Sequence, residues 1–184
     1  MAHWFINNKD ATLILTPKVC SSSFRSDLND YLSITKKGKR TGICLREPLD
    51  RAASVIAAKN TMQNIGSHYL KDMATGNVHN HLAPQVDFIK WRYNGNFRST
   101  GTNSNIKVGA SDIGFEPDFV FFYEDMNLKE LGDFLGIKIK RLSKKNAHRG
   151  RKPYREVLGN NLEFFTKFME RDLAFYERMR QQHG

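Results

Sequence analysis

The chain has 184 residues, 40% of them hydrophobic, enough to build one domain with a real core across residues 1–184. Lys and Arg outnumber Asp and Glu by 29 to 19, so the net charge of +10 calls for an anionic partner and leaves nucleic acid, an acidic membrane and a multiply phosphorylated nucleotide open. No stretch approaches the roughly 18 apolar residues that span a bilayer, the N-terminus has no basic segment followed by a long apolar run, and Cys20 and Cys44 offer neither a disulfide framework nor metal-ligand spacing; the expectation is a soluble, unexported, cytoplasmic protein with no membrane partner and no metal.

The apolar run "ATLIL" predicts a first strand, and "RSDLNDYLSI" repeats its apolar residues at helical spacing. Between them lies "TPKVCSSSF", residues 16–24. First-turn N–H groups of a helix lack internal acceptors and sit at the positive end of its dipole, so such a turn favours an anion. Lys18 adds a full charge, and Ser21, Ser22 and Ser23 add hydroxyl donors, which together predict a phosphate or phosphosulfate cradle. The stretch is not G-x-x-x-x-G-K-[ST], because the glycines are missing and Lys18 starts the turn instead of preceding a magnesium-binding hydroxyl.

"KKGKR" reads as a solvated basic turn and "TGICLRE" as a second buried strand, after which Pro48 stands at the first position of an Ala-rich helix, "LDRAASVIAAKNTM". Strand, helix, strand, helix predicts an α/β fold with a parallel sheet and ligands at the carboxyl ends of its strands, where the turns at Lys18 and Arg46 both fall. Arg46 offers a planar fork suited to a phosphate, and Ser54, two helical turns on, offers a hydroxyl from the neighbouring wall. Residues 66–114 are polar and loop-like and predict, in part, a mobile flap or hairpin. "DFVFFYEDM" predicts a third strand whose Phe119, Phe121 and Phe122 belong to the core. A short helix follows, with Leu128, Leu131 and Leu135 on one face and Gly136 as its C-cap. Beyond the basic loop "SKKNAHRGRKPY", the three and four residue spacing from Tyr154 through Leu158, Phe165 and Met169 to Met179 predicts one long amphipathic helix.

Taken together, these stretches resemble the sulfotransferases that use 3′-phosphoadenosine 5′-phosphosulfate (PAPS), especially the carbohydrate sulfotransferase branch. The family's P-K-x-x-(S/T)-(S/T)-S segment matches Pro17, Lys18, Ser21, Ser22 and Ser23, and its R-x-P-x-D-R-x-x-S segment matches Arg46, Pro48, Asp50, Arg51 and Ser54. "HLAPQ" (81–85) is similar to an H-x-x-P-Q segment that follows in the same branch, and "FVFFYEDM" with "LGDFLGI" is similar to its late strand and helix. The resemblance implies a P-loop-NTPase-like parallel sheet flanked by helices. It further implies that Pro17, Lys18, Val19, Cys20 and Ser21 to Ser23 hold the 5′-phosphosulfate and that Arg46 and Ser54 hold the 3′-phosphate; the adenine end is expected near Arg149, Gly150, Arg151 and Lys152, where cations and a flexible glycine close over the 3′-phosphate. The implied product is adenosine 3′,5′-bisphosphate, the acceptor a hydroxyl of a carbohydrate or small metabolite; nucleic acid is not the expected partner.

Sulfuryl transfer is an in-line displacement that needs a base for the acceptor hydroxyl and donors for the departing phosphate. Lys18 is the expected donor to the bridging oxygen. About twenty residues separate the two cofactor motifs, so the insert that carries a base in larger relatives is absent. His81 is the first choice of base and His79 the second, because imidazole titrates near neutrality; Glu124 and Asp125 stand in reserve. The competing readings are a kinase-like phosphotransferase, which would need magnesium and ATP, and a non-catalytic basic nucleic-acid binder, which would lose affinity steeply with salt.

Overall fold

The computed structural model describes residues 5–19, 21–58, 73–79, 81–95, 105–143 and 152–184. Its centre is a five-stranded mixed sheet in the order β3-β1-β2-β4-β7, built from β1 (Phe5–Asn8), β2 (Ala11–Ile14), β3 (Leu32–Ser33), β4 (Arg40–Leu45) and β7 (Phe119–Phe122). The three strands expected from the sequence, β2, β4 and β7, lie side by side and parallel, with Ile14 opposite Ile43 and Cys44 opposite Phe121. The expectation of a wholly parallel sheet is corrected by β1 and β3. A tight turn at Lys9 and Asp10 folds β1 back antiparallel to β2, and β3 adds antiparallel to β1.

Helices cover both faces of the sheet. On one side lie α1 (Ser21–Asp27), whose Phe24 meets Phe121 edge-on, and α4 (Leu128–Leu135), whose Phe134 stacks on Phe119. A Cβ at Gly42 would stand 2.8 Å from the Phe134 ring, so only glycine lets α4 sit this close to β4. Gly136 closes α4 in the left-handed conformation, φ 66°, as its C-cap role requires. On the other side, α3 (Gln85–Tyr93) and α7 (Glu170–His183) pack against the sheet, and Phe122 meets Tyr176 edge-on. A second, smaller core joins α2 (Pro48–Ala58) to α5 (Tyr154–Leu158) and α6 (Leu162–Phe168) through Ala52, Val55, Ile56, Leu158 and Phe165. The small alanines of α2 let these helices approach.

Three expectations change. The first helix stops at Asp27 and gives way to a 3₁₀ turn (Asn29–Tyr31) and β3, so the helical spacing of Leu28, Tyr31 and Leu32 does not continue as α-helix. The single long C-terminal helix is broken into α5, a 3₁₀ turn (Gly159–Asn161), α6 and α7: Gly159 takes φ 49° at the first break, and Met169, at φ -91° and ψ 6°, separates α6 from α7. Within residues 66–114, a small antiparallel pair of β5 (Asn77–His79) and β6 (Asn105–Lys107) brackets α3, a helix the polar composition concealed. Among the described residues no helix is long and apolar enough to cross a membrane.

Candidate functional site

The carboxyl ends of β2, β4 and β7 bring Lys18, Arg46 and Tyr123 to one edge of the sheet. Thr16 joins the first two of these strand ends, its buried hydroxyl donating to the Cys44 carbonyl at 2.8 Å. The chain then reverses: Val19 N–H donates to the Thr16 carbonyl, Pro17 is the first central residue and Lys18 the second, at φ 66°. That is the pattern of a type II turn, in which the second central position normally demands glycine. A lysine held there costs about 1–2 kcal/mol of backbone strain, and strain of this kind concentrates at functional sites. Pro17 and Val19 are buried, and Lys18 is half-buried.

Arg46 follows β4 with only 3% of its surface exposed. One end of its guanidinium donates to the Lys18 carbonyl at 3.1 Å, the other to Asp50 Oδ2 at 3.0 Å, and its plane lies 4.6 Å over the Tyr123 ring. Its Nε is buried and has no hydrogen-bond partner. Ser54 is half-buried, one turn beyond Asp50 on the same face of α2. The two motifs singled out in the sequence therefore meet, with Arg46 touching the backbone of the Lys18 turn.

The remaining motif residues build the wall behind them. Gln85 is fully buried and pairs both ways with the Arg46 backbone, accepting from its N–H at 2.9 Å and donating to its carbonyl at 2.7 Å. Arg51, 1% exposed, donates to the carbonyls of His81 at 3.0 Å and Ala83 at 2.6 Å. Asp172 of α7, wholly buried, accepts from Val86 N–H at 3.0 Å and so caps α3. Burial pushes the Asp172 carboxyl up and the Arg51 guanidinium down, and each charge partly offsets the effect on the other. Sequence reasoning assigned Arg51 and Gln85 only to motif matches and missed Asp172; an aspartate inside a helix pattern at a position facing the core was the available signal.

His81 N–H donates to His79 Nδ1 at 3.3 Å, with ring centroids 5.3 Å apart. Arg51 follows Asp50 on α2, so the His81 backbone is linked to the Arg46 cluster through two adjacent residues. Ser23 is 4% exposed and donates through Oγ to the Ser143 carbonyl, so its hydroxyl ties α1 to the segment beyond α4. Ser21 and Ser22 supply backbone to the first turn of α1; their side chains, together with Cys20, Arg149, Gly150 and Arg151, lie outside the described residues.

Carboxylates crowd the same rim. Glu47 accepts from Leu49 N–H and Asp50 N–H and caps α2; burial, with Asp50 and Glu124 nearby, pushes its carboxyl up. Glu124 accepts from Glu47 N–H at 2.9 Å and from the Tyr176 hydroxyl at 3.0 Å, and Arg180 bridges Glu124 and Asp125. Among the described residues no cluster of three His, Cys, Asp or Glu side chains could hold a metal ion. A groove of about 300 Å³ elsewhere, between residues 112–116 and α7, has Phe175 and Met179 in its wall, and its Glu116 already faces His183 at 3.5 Å. No protein-family model, no curated protein and no solved structure matches the chain.

Proposed function

We propose that this chain is a PAPS-dependent sulfotransferase with a P-loop-like cofactor site, acting on a hydroxyl of a carbohydrate or small metabolite. One observation carries the reading: the two motifs converge, the buried Arg46 guanidinium holding a carbonyl of the Lys18 turn through one end and the Asp50 carboxylate of α2 through the other. A fork that clasps one oxyanion is fitted to clasp another in its place. PAPS, when bound, supplies the sulfuryl group. Lys18 and the N–H groups that follow it hold the phosphosulfate and stabilise negative charge on the departing phosphate. Arg46 and Ser54 hold the 3′-phosphate, Arg46 exchanging its Asp50 contact for it.

His81 takes the proton from the acceptor hydroxyl, and Arg51 positions it by fixing its carbonyl. A sulfuryl group carries less negative charge than a terminal phosphate, so the reaction runs without magnesium. Thermal-shift measurements test the reading: adenosine 3′,5′-bisphosphate raises the melting temperature without metal, ATP with magnesium does not, and Lys18→Ala removes the effect. Equal stabilisation by ATP with magnesium would favour a phosphotransferase, and no stabilisation by the bisphosphate would reject the proposal.

A further inference from the structure

Three segments meet at the amino ends of the parallel strands, about 20 Å from the candidate site by the length of β4. Asn8 donates through its side chain to the Leu135 carbonyl at 2.8 Å, which ties the Lys9 turn to the end of α4 just before Lys138. Arg40 N–H donates to the Asp10 carbonyl at 2.8 Å, and Arg40 Nη2 donates to the Phe134 carbonyl at 2.9 Å. Gly38 N–H donates to Thr12 Oγ1 at 2.7 Å and fixes the loop that carries Lys37 and Lys39. Lys9, Lys37, Lys39, Arg40 and Lys138 are exposed, and none makes an ion pair among the described residues. Two exposed acids, Asp10 and Asp118, lie beside them, Asp118 Oδ2 accepting from Thr41 N–H at 2.6 Å, and the five cations outnumber these two carboxylates.

We infer that this basic pole is a second binding surface, which takes the phosphodiester backbone of nucleic acid without reading its sequence. Five like charges held together on anchored turns repel one another, and a polyanion relieves that repulsion. They are spread over three separate exposed segments, which suits an extended chain of phosphates better than a single small anion. A membrane surface fits less well, because the exposed large apolar side chains among the described residues are Ile34, Met126 and Phe164, none of them within these three segments. The inference is independent of the cofactor site, and it revises the sequence-based expectation that nucleic acid is not a partner.

The test is fluorescence anisotropy with a labelled 20-base-pair DNA duplex over a salt series. With about five phosphate contacts, affinity falls roughly 500-fold between about 50 and 200 mM salt. In the Lys9→Glu, Lys39→Glu, Lys138→Glu triple variant, that fall shrinks to roughly tenfold, and affinity at low salt is lost in proportion. A control triple, Arg155→Glu, Lys167→Glu and Arg178→Glu, removes the same net charge from exposed positions elsewhere and keeps the wild-type slope. Both triples retain the wild-type melting temperature within a few degrees and the wild-type response to adenosine 3′,5′-bisphosphate. Equal losses in the two triples, no duplex binding at low salt, or tighter binding of phosphatidylserine vesicles or heparin than of the duplex would each overturn the inference.

Discussion

Lys18 shows how a single residue is asked to do two things. Its left-handed backbone is the conformation for which glycine is suited, yet a glycine there would carry no charge to the turn. Lys18→Gly therefore separates fold from function. Relief of strain, about 1–2 kcal/mol, outweighs or balances the roughly 0.5–1 kcal/mol lost to greater freedom of the unfolded chain. The expected variant melts at or slightly above the wild-type temperature and no longer responds to adenosine 3′,5′-bisphosphate; a variant that melts several degrees lower would show that the lysine side chain holds the turn. Asp87 makes a second residue-scale case. Its Oδ1 accepts from Gly109 N–H at 2.8 Å and Ala110 N–H at 2.7 Å, while its buried Oδ2 has no partner. Burial pushes its carboxyl up, against the pull of those two N–H groups and of Arg171, and with Asp172 adding to the rise.

At the scale of elements, the candidate site is a lock between α2, α3 and α7. Gln85 satisfies both backbone groups of Arg46 from the first turn of α3, Arg51 reaches from α2 to the loop before α3, and Asp172 closes the triangle from α7. Gln85→Leu keeps the volume but strands two buried backbone groups, each worth about 1–3 kcal/mol. Differential scanning calorimetry should record a loss of roughly 2–5 kcal/mol, or about 5–15 °C in Tm; an unchanged Tm would mean that Arg46 finds other partners. This lock also explains what the sequence could reveal. β2, β4, β7, α2 and α4 were legible because local signals, apolar runs, Pro48 and Gly136, agree with their tertiary roles. β1 and β3 were not, since β1 is held by pairing with β2 and β3 is two residues of a helix-like pattern captured by β1. α3 was hidden because its buried face includes Gln85 and Asp87, whose partners are brought in from distant elements, and Arg92, whose guanidinium lies over Trp91 and Phe88 of the same helix. For the same reason the convergence of Lys18 and Arg46 was legible from strand order, whereas the occupation of the Arg46 fork by Asp50 and a carbonyl was not.

At the scale of the whole molecule, the half-buried Glu47 carboxyl and the buried carboxyls of Asp87 and Asp172 are all pushed up by desolvation. A carboxyl whose folded pKa lies above its unfolded one contributes stability that is fully present below the unfolded value, near about 4, and is lost as pH rises through the folded value. Their combined contribution therefore favours mildly acidic over neutral solution. Asp87→Asn keeps the Oδ1 acceptor and removes the titration, so its Tm relative to wild type should rise from pH 5 to pH 8; a difference independent of pH would assign Asp87 no part in this dependence. The two anion-binding sites proposed at opposite poles of the sheet are likewise properties of the assembled fold, since each joins residues from separate chain segments.

In the proposed cofactor site the Lys18 turn and Arg46 grip two ends of one ligand. Isothermal titration of adenosine 3′,5′-bisphosphate and adenosine 5′-monophosphate into wild type, Lys18→Ala and Arg46→Gln tests it most directly. Charged hydrogen bonds worth about 1.5–3 kcal/mol predict that wild type prefers the bisphosphate by roughly 10–100-fold, that Lys18→Ala weakens both ligands alike, and that Arg46→Gln erases the preference while still binding the monophosphate. Equal wild-type affinity for the two ligands, or a preference that survives in Arg46→Gln, would contradict the account.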